Sequence, residues 1–339
     1  MRALRSLPLV LVAAVALSAC AGTTTADTAS DAPGDAGAFP VTIEHAFGTT
    51  TIGEKPVRVA TVSWSNQEVP LALGVVPVGM AAVSWGDDDG DGVLPWVEDR
   101  LAELDADTPV LFDETDGIDF EAVSDTQPDV ILAGYSGLTQ EEYDTLSKIA
   151  PVVAYPGVAW GTSLEHMIRI DAKALGLEAE AEAFIDELHG EIDSALETNA
   201  VIADKKILFS FIDPSDFSQI GFYTSHDTRP GFLHDLGLPT PNIVEQESAN
   251  SDAFYTSVSA EEAERFADVD IFVTYGDPES DLVERMQADP LLSKIPAISA
   301  GQVVVLPDST PLAAAANPSP LSIGYNIGDY LGLFAAQVG

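Results

Sequence analysis

Thr162-Ser163-Leu164-Glu165-His166-Met167-Ile168-Arg169-Ile170-Asp171-Ala172-Lys173-Ala174-Leu175-Gly176, continued by Leu177 through Asn199, is the stretch whose reading decides the fold. Thr162 with Glu165 three residues on has the form of a capping box. Leu164, Met167, Ile168, Ala172 and Leu175 recur at helical spacing, and Gly176 fits a helix stop. A second pattern begins at Glu178 and sets Phe184, Ile185, Leu188, Ile192, Ala195 and Leu196 on one stripe. As a helix, residues 178–199 span roughly 33 Å, the width of a small domain. On each side short apolar runs alternate with helical segments, the grammar of an α/β domain. The expectation is two α/β lobes joined by a long helical connector. Ordinary surface helices of one large domain are the alternative, and the likeness of the two flanks favours the connector.

That likeness rests on phrases in the same order in both halves. Leu73-Gly74-Val75-Val76-Pro77 answers Leu236-Gly237-Leu238-Pro239. Glu121-Ala122-Val123 leading to Asp129-Val130-Ile131 answers Glu261-Glu262-Ala263 leading to Asp270-Ile271-Phe272. Leu146-Ser147-Lys148-Ile149 answers Leu292-Ser293-Lys294-Ile295. Two such lobes place a cleft between the carboxyl ends of their strands, where open α/β sheets bind ligands.

The chain begins with the basic Met1-Arg2-Ala3-Leu4-Arg5, then an apolar core from Leu7 to Leu17. That core is too short for a membrane span and suits a signal peptide. Leu17-Ser18-Ala19-Cys20 has the lipobox pattern of bacterial lipoproteins, with Cys20 as the lipidation site. Cys20 is the single cysteine, which excludes an intramolecular disulfide. Residues 21–38, of Ala, Gly, Thr, Ser and Asp with one Pro, read as a flexible tether. The net charge of -41 argues against nucleic acid and anionic membrane surfaces as partners. The membrane contact expected is the lipid anchor alone. A hydrophobic content of 46% argues against disorder despite that charge.

An ordered set of short motifs carries a family resemblance. Lys55-Pro56-Val57-Arg58-Val59 is followed by Leu73 through Gly79, Phe120-Glu121-Ala122-Val123, Gln127-Pro128-Asp129-Val130-Ile131 and Lys148-Ile149-Ala150-Pro151-Val152. Val258-Ser259-Ala260-Glu261, Pro290-Leu291-Leu292 and Ala300-Gly301-Gln302-Val303 continue it. Over residues 41–338 the chain resembles the iron-siderophore binding lipoproteins of bacterial ABC importers, relatives of the vitamin B12 binders. The resemblance implies an α/β fold of two Rossmann-like lobes on a long rigid connector helix, the helical-backbone substrate-binding protein fold. The expected divisions are 1–19 signal peptide, 20–39 lipidated cysteine and tether, 40–159 first lobe, 160–200 connector and 201–339 second lobe. It implies a monomer on the outer face of the cytoplasmic membrane, with a ferric siderophore as ligand and an ABC permease as partner. A corrinoid, haem or metal-ion binder of the same fold is the alternative, and a surface enzyme or adhesin on this scaffold is a more distant one.

Aromatic residues near strand ends are the ligand candidates: Trp64, Trp85, Tyr135 and Tyr275, with Tyr223 and Tyr255 read as loop residues. Large flat rings bind a bulky, partly apolar ligand at low entropic cost, or else cap their own lobe's core. Arg229, in Tyr223-Thr224-Ser225-His226-Asp227-Thr228-Arg229-Pro230, is the basic residue of a polar and aromatic segment. It would hydrogen-bond ligand oxygens, with a salt bridge to Asp227 or Asp235 as the alternative. The resemblance favours the ligand, and it also makes Glu121 and Glu261, one per lobe, the knobs that dock on permease arginines. Asp87-Asp88-Asp89-Gly90-Asp91-Gly92-Val93-Leu94-Pro95-Trp96-Val97-Glu98 fits the calcium-loop template at each defined position. Asp87, Asp89, Asp91, the Val93 carbonyl and Glu98 would be its ligands, in a structural role. No catalytic residue is expected: Gly134-Tyr135-Ser136-Gly137-Leu138 lacks the form of a nucleophile elbow, and no zinc-protease or phosphate-loop motif occurs. Scattered histidines weaken a bare-metal binder. No cofactor is expected, and the scarcity of basic residues favours a neutral or cationic hydroxamate chelate over an anionic catecholate one.

Overall fold

The computed structural model describes residues 39–339. The signal segment, Cys20 and the tether to residue 38 lie outside the described residues. The described chain opens with a hairpin, β1 (Val41–His45) and β2 (Gly48–Ile52), with Val41 opposite Ile52. Burial alternates along β1 as the period-two geometry of a strand demands. There follow β3 (Val59–Thr61), α1 (Glu68–Ala72), β4 (Gly79–Ala81), α2 (Pro95–Glu103), β5 (Val110–Phe112), α3 (Phe120–Asp125), β6 (Val130–Ala133), α4 (Gln140–Leu146) and β7 (Val152–Ala154). The five strands from β3 to β7 form one parallel sheet in the order β5-β4-β3-β6-β7. β3, β4, β6 and β7 are buried at every position, because helices cover both faces.

The connector is α5 (Leu164–Leu175) and α6 (Glu178–Thr198). Gly176 ends α5 in the left-handed conformation, at φ 65° and ψ 42°. The capping box expected from Thr162 and Glu165 does not form. Ser163 is the N-cap, and the Thr162 hydroxyl donates instead to the Gly134 carbonyl at 2.7 Å. A long-range bond to a buried strand end wins over a local one.

The second half contains β8 (Ile207–Phe211), β9 (Gln219–Tyr223), α7 (Thr228–Asp235), α8 (Asn242–Ser248), β10 (Tyr255–Ser259), β11 (Ile271–Gly276), α9 (Leu282–Ala288), α10 (Pro296–Ala300), β12 (Val303–Pro307), α11 (Pro311–Ala315) and α12 (Pro320–Val338). Its sheet runs β10-β9-β8-β11-β12. β8, β11 and β12 are parallel and repeat the arrangement of β3, β6 and β7. The outer strands differ, since β9 pairs antiparallel with both β8 and β10. Tyr223 and Tyr255, expected in loops, therefore lie on strands, directly opposite one another. Tyr275 sits inside β11, Arg229 sits in the first turn of α7, and residues 260–266 form a 3-10 helix.

α6 buries Ala181, Ile185, Leu188, Ile192 and Ala195 along one stripe. They join one core with Phe209, Val273, Tyr330 and Phe334 of the second half and with Val69 and Tyr135 of the first. The connector is thus no free rod, because its apolar stripe is covered by α12 and α5. α11 and α12 reach the first half as well. Ala314 and Ala315 pack with Met80, Leu94 and Trp96, and α12 touches α1 and α2.

Candidate functional site

In the first sheet β3 and β6 are neighbours whose connections leave in opposite directions, since β4 lies on one side and β7 on the other. That reversal opens a crevice at the carboxyl ends of the two strands. Buried Asn66 braces it. Its Nδ2 donates to the carbonyls of Val62 at 2.7 Å and Tyr135 at 2.8 Å, and its Oδ1 accepts the Tyr135 N–H at 2.9 Å. Trp64 and Tyr135, the residues leaving β3 and β6, are thereby held at fixed separation. Ser63 and Ser65 flank Trp64 at φ 65° and 62°, a region costly for residues with a Cβ, and the surrounding bonds sustain it.

The aromatic candidates form linked sets of contacts. Trp64 and Trp85 stand 6.4 Å apart between ring centres, and Trp85 meets Tyr275 edge-on at 5.8 Å. Trp85 Nε1 also donates to Asp308 Oδ1 at 3.3 Å, so this one side chain bridges the two sheets' exits. Arg229 Nε donates to the Tyr275 hydroxyl at 2.9 Å, and its guanidinium lies 4.4 Å over the Tyr223 ring, an attractive cation–π arrangement. Tyr223 packs edge-on to Tyr255 at 5.3 Å. Tyr135 joins the halves a second time, with its hydroxyl 3.2 Å from Thr228 Oγ1 and accepting from Asn317 Nδ2 at 3.0 Å. Tyr135 and Tyr275 are buried, whereas Trp64, Trp85, Tyr223 and Tyr255 keep exposed edges. A cavity of about 340 Å³ opens at the exits of β3, β4, β5 and β6, walled by Trp64, Trp85, Trp160, Ile118 and Leu138, with Glu114 among them.

Arg229 Nη1 reaches both Asp227 oxygens, at 3.0 and 2.9 Å, and both side chains are largely buried. The Asp227 salt bridge set out as the alternative is thus present, together with the ring contacts. Burial pushes the Tyr275 hydroxyl up to about 12, opposed by Arg229 beside it. Burial likewise raises Glu114 to about 7, with the Ser63 N–H opposing and Glu142 adding to the rise. Ser63 N–H donates to Glu114 Oε2 at 2.9 Å, while Oε1 is buried without a partner.

The sequence profile described as "Periplasmic binding protein" matches residues 59–310. The chain belongs to that family. Among solved structures, the Streptococcus pneumoniae TIGR4 protein PiaA in complex with ferrichrome is 47% identical, with a TM-score of 0.83 over 88% of this chain and 98% of that one. A periplasmic solute binding protein of Mycobacterium smegmatis is 25% identical, with a TM-score of 0.68 over 88% and 99%. Staphylococcus aureus SirA complexed with staphyloferrin B is 23% identical, with a TM-score of 0.64 over 86% and 98%, and shares the fold.

In this periplasmic binding protein Glu121 and Glu261 are both exposed, each in the first turn after a side-chain cap from Asp119 or Ser259. In the acidic loop Asp87, Asp89 and Asp91 bring one oxygen each within 4.8 Å of one another. Asp87 accepts the N–H groups of Gly90 and Gly92, both at 2.7 Å, and Val93 N–H donates to Asp91 Oδ1 at 2.9 Å. Glu98, in the first turn of α2, is raised by partial burial and by the negative charges of Asp91 and Asp89. The oxygens of Asp87, Asp89 and Asp91 lie close enough together to hold a metal ion, and β4 rather than a helix precedes the loop.

Sequence reading missed Glu114, Trp160 and the bracing role of Asn66. Trp160 packs edge-on to Tyr135 at 5.4 Å and lies over Gly137, where an added Cβ would fall 2.2 Å from its Nε1. A tryptophan just before the connector was the available signal. Glu114, one acidic residue among 55, gave none.

Proposed function

We propose that this periplasmic binding protein is an extracytoplasmic, lipid-anchored receptor that captures a ferric siderophore at the aromatic cleft and delivers it to an ABC importer. The observation that carries the reading is the ring-walled cavity at the strand exits, in a chain 47% identical to a protein crystallised with ferrichrome. Trp64, Trp85, Tyr223, Tyr255 and Arg229 would meet the ligand, with Tyr135 and Tyr275 as the wall behind them. Because Asp227 already neutralises Arg229, the site offers no spare positive charge to a triply anionic catecholate. A hydroxamate chelate, without that charge, suits it better. The lobes would be residues 40–159 and 201–339 on the connector 160–200, in a monomer, with Cys20 lipidated. Glu121 and Glu261 would dock on the permease, and the loop from Asp87 to Glu98 would hold a structural calcium ion.

Tryptophan fluorescence is the test, because Trp64, Trp85 and Trp160 line the cavity. Ferrichrome and ferrioxamine should quench saturably, while enterobactin, haem and cobalamin should not. Silence with every ferric chelate would end the siderophore reading, and quenching by haem or cobalamin alone would move the protein to the corrinoid and haem binders.

A further inference from the structure

Glu114 is the one acidic side chain of the cavity wall whose surroundings leave it half satisfied. Oε2 holds the Ser63 amide, and Oε1 is buried with no hydrogen-bond partner. Among the described residues no lysine, arginine or histidine forms an ion pair with it. Glu142, also on the cavity wall, is committed to the Thr139 N–H and hydroxyl as part of a capping box. A buried carboxylate oxygen without a donor is unfavourable, and such groups are rare unless something else supplies the donor. Trp64, Trp85 and Trp160 line the same cavity, and indole rings attract an ammonium group placed over their faces. A carboxyl group sharing a cavity with three indole rings has the chemistry of a cation receptor, and Arg229 is already paired with Asp227.

We infer that Glu114 is a specificity residue: its free oxygen accepts a hydrogen bond from an alkylammonium group carried by the chelate, so the cleft prefers ferric trihydroxamates bearing a free amine. The inference rests on the siderophore reading and narrows it. Ligand binding supplies the donor missing from Oε1, and the charge-assisted bond forms where water is excluded and is strongest.

The test compares ferrioxamine B, which has a pendant ammonium group, with its N-acetylated derivative, which differs in lacking that charge. Ferrichrome serves as the control for siderophore binding itself. Quenching titrations on the wild-type protein should show ferrioxamine B bound about tenfold or more tightly than the acetylated form, the effect of one charge-assisted hydrogen bond. In Glu114→Gln, which keeps the side-chain shape, the ratio between the two ferrioxamine affinities should fall to within about twofold. Equal wild-type affinity for the two ferrioxamines would overturn the inference and leave the siderophore reading standing. So would an E114Q variant that weakens all three ligands alike, since Glu114 would then act only by holding Ser63. Failure of all three to bind the wild-type protein would remove the siderophore reading and this inference together. The wild-type comparison needs no substitution, so a misfolded variant cannot obscure the result.

Discussion

Arg229 and Asp227 show how one residue can serve two purposes at the cleft. Asp227 is the N-cap of α7, accepting the Arg229 N–H at 2.9 Å, and it also holds the guanidinium against Tyr223 and Tyr275. Removing the guanidinium leaves a carboxylate that is 3% exposed with no counter-charge, holding only the residue-229 backbone N–H. Arg229→Ala should therefore destabilise the protein by about 3–5 kcal/mol in urea unfolding. Asparagine caps a helix nearly as well as aspartate, so Asp227→Asn in the same chain should recover part of that loss. Equal losses in the single and double variants would show the pair is not coupled. Glu68 is a second buried carboxylate with a measurable consequence. It is fully buried and accepts from Trp96 Nε1 and from Leu321 N–H, both at 2.8 Å, tying α1 to α2 and to the start of α12. Desolvation raises it to about 7 against the pull of those donors. The folded protein therefore holds this proton more tightly than the unfolded chain, whose glutamates titrate near 4.3. Its contribution is complete below about pH 4.3 and lost as pH rises through about 7, an effect on the order of 3 kcal/mol. Glu68→Gln should flatten the pH dependence of unfolding free energy over that window. An unchanged slope would mean that Glu68 titrates normally. The Arg229–Asp227 pair was one of two readings the sequence offered, but the burial of Glu68 was not readable, because in so acidic a chain nothing local distinguishes Glu68 or Glu114 from carboxylates in water.

The elements most legible from their residues are those whose pattern is local. α6 carries its buried residues at the expected helical spacing, with Phe184 and Leu196 at the edges of the stripe. Each large aliphatic residue buried there contributes about 1.5–3 kcal/mol. Leu188→Ala should cost about 2–5 kcal/mol by thermal or urea unfolding. Exposed Glu187→Ala on the same helix should change stability by less than about 0.5 kcal/mol. The start of α5 was misread because Thr162 had two acceptable partners, and Gly134 lies far away in sequence. β9 and β10 were missed for a related reason. Their pairing spans α7 and α8, and β9 carries a central Gly221, so neither segment announces a strand alone. The acidic loop is local again: Asp87, Asp89 and Asp91 converge, while Glu98 is not in that group. Millimolar calcium should raise the melting temperature, and Asp89→Asn should shrink that rise. A midpoint unmoved by calcium would retire the ion.

At the scale of the whole molecule the two sheets are joined by more than the connector. Trp85 meets Tyr275 and Asp308, Tyr135 meets Thr228 and Asn317, and α11 and α12 pack against the first half. Closure about a hinge would have to break these contacts, so ligand should move the lobes little. Solution scattering should show a radius of gyration that changes by less than about 1 Å on loading with ferrichrome, unlike hinge-closing binders. A larger contraction would show that the contacts separate. What the chain determined by itself was the alternation of strands and helices, the connector and the set of rings near strand ends. Each depends on periodicity or on residue type within a few positions. Only the tertiary structure decided that Asp227 occupies Arg229, that Tyr223 faces Tyr255, and that one oxygen of Glu114 goes unpaired. Those facts depend on which distant segments the fold brings within hydrogen-bonding distance, and no local pattern encodes a partner's position.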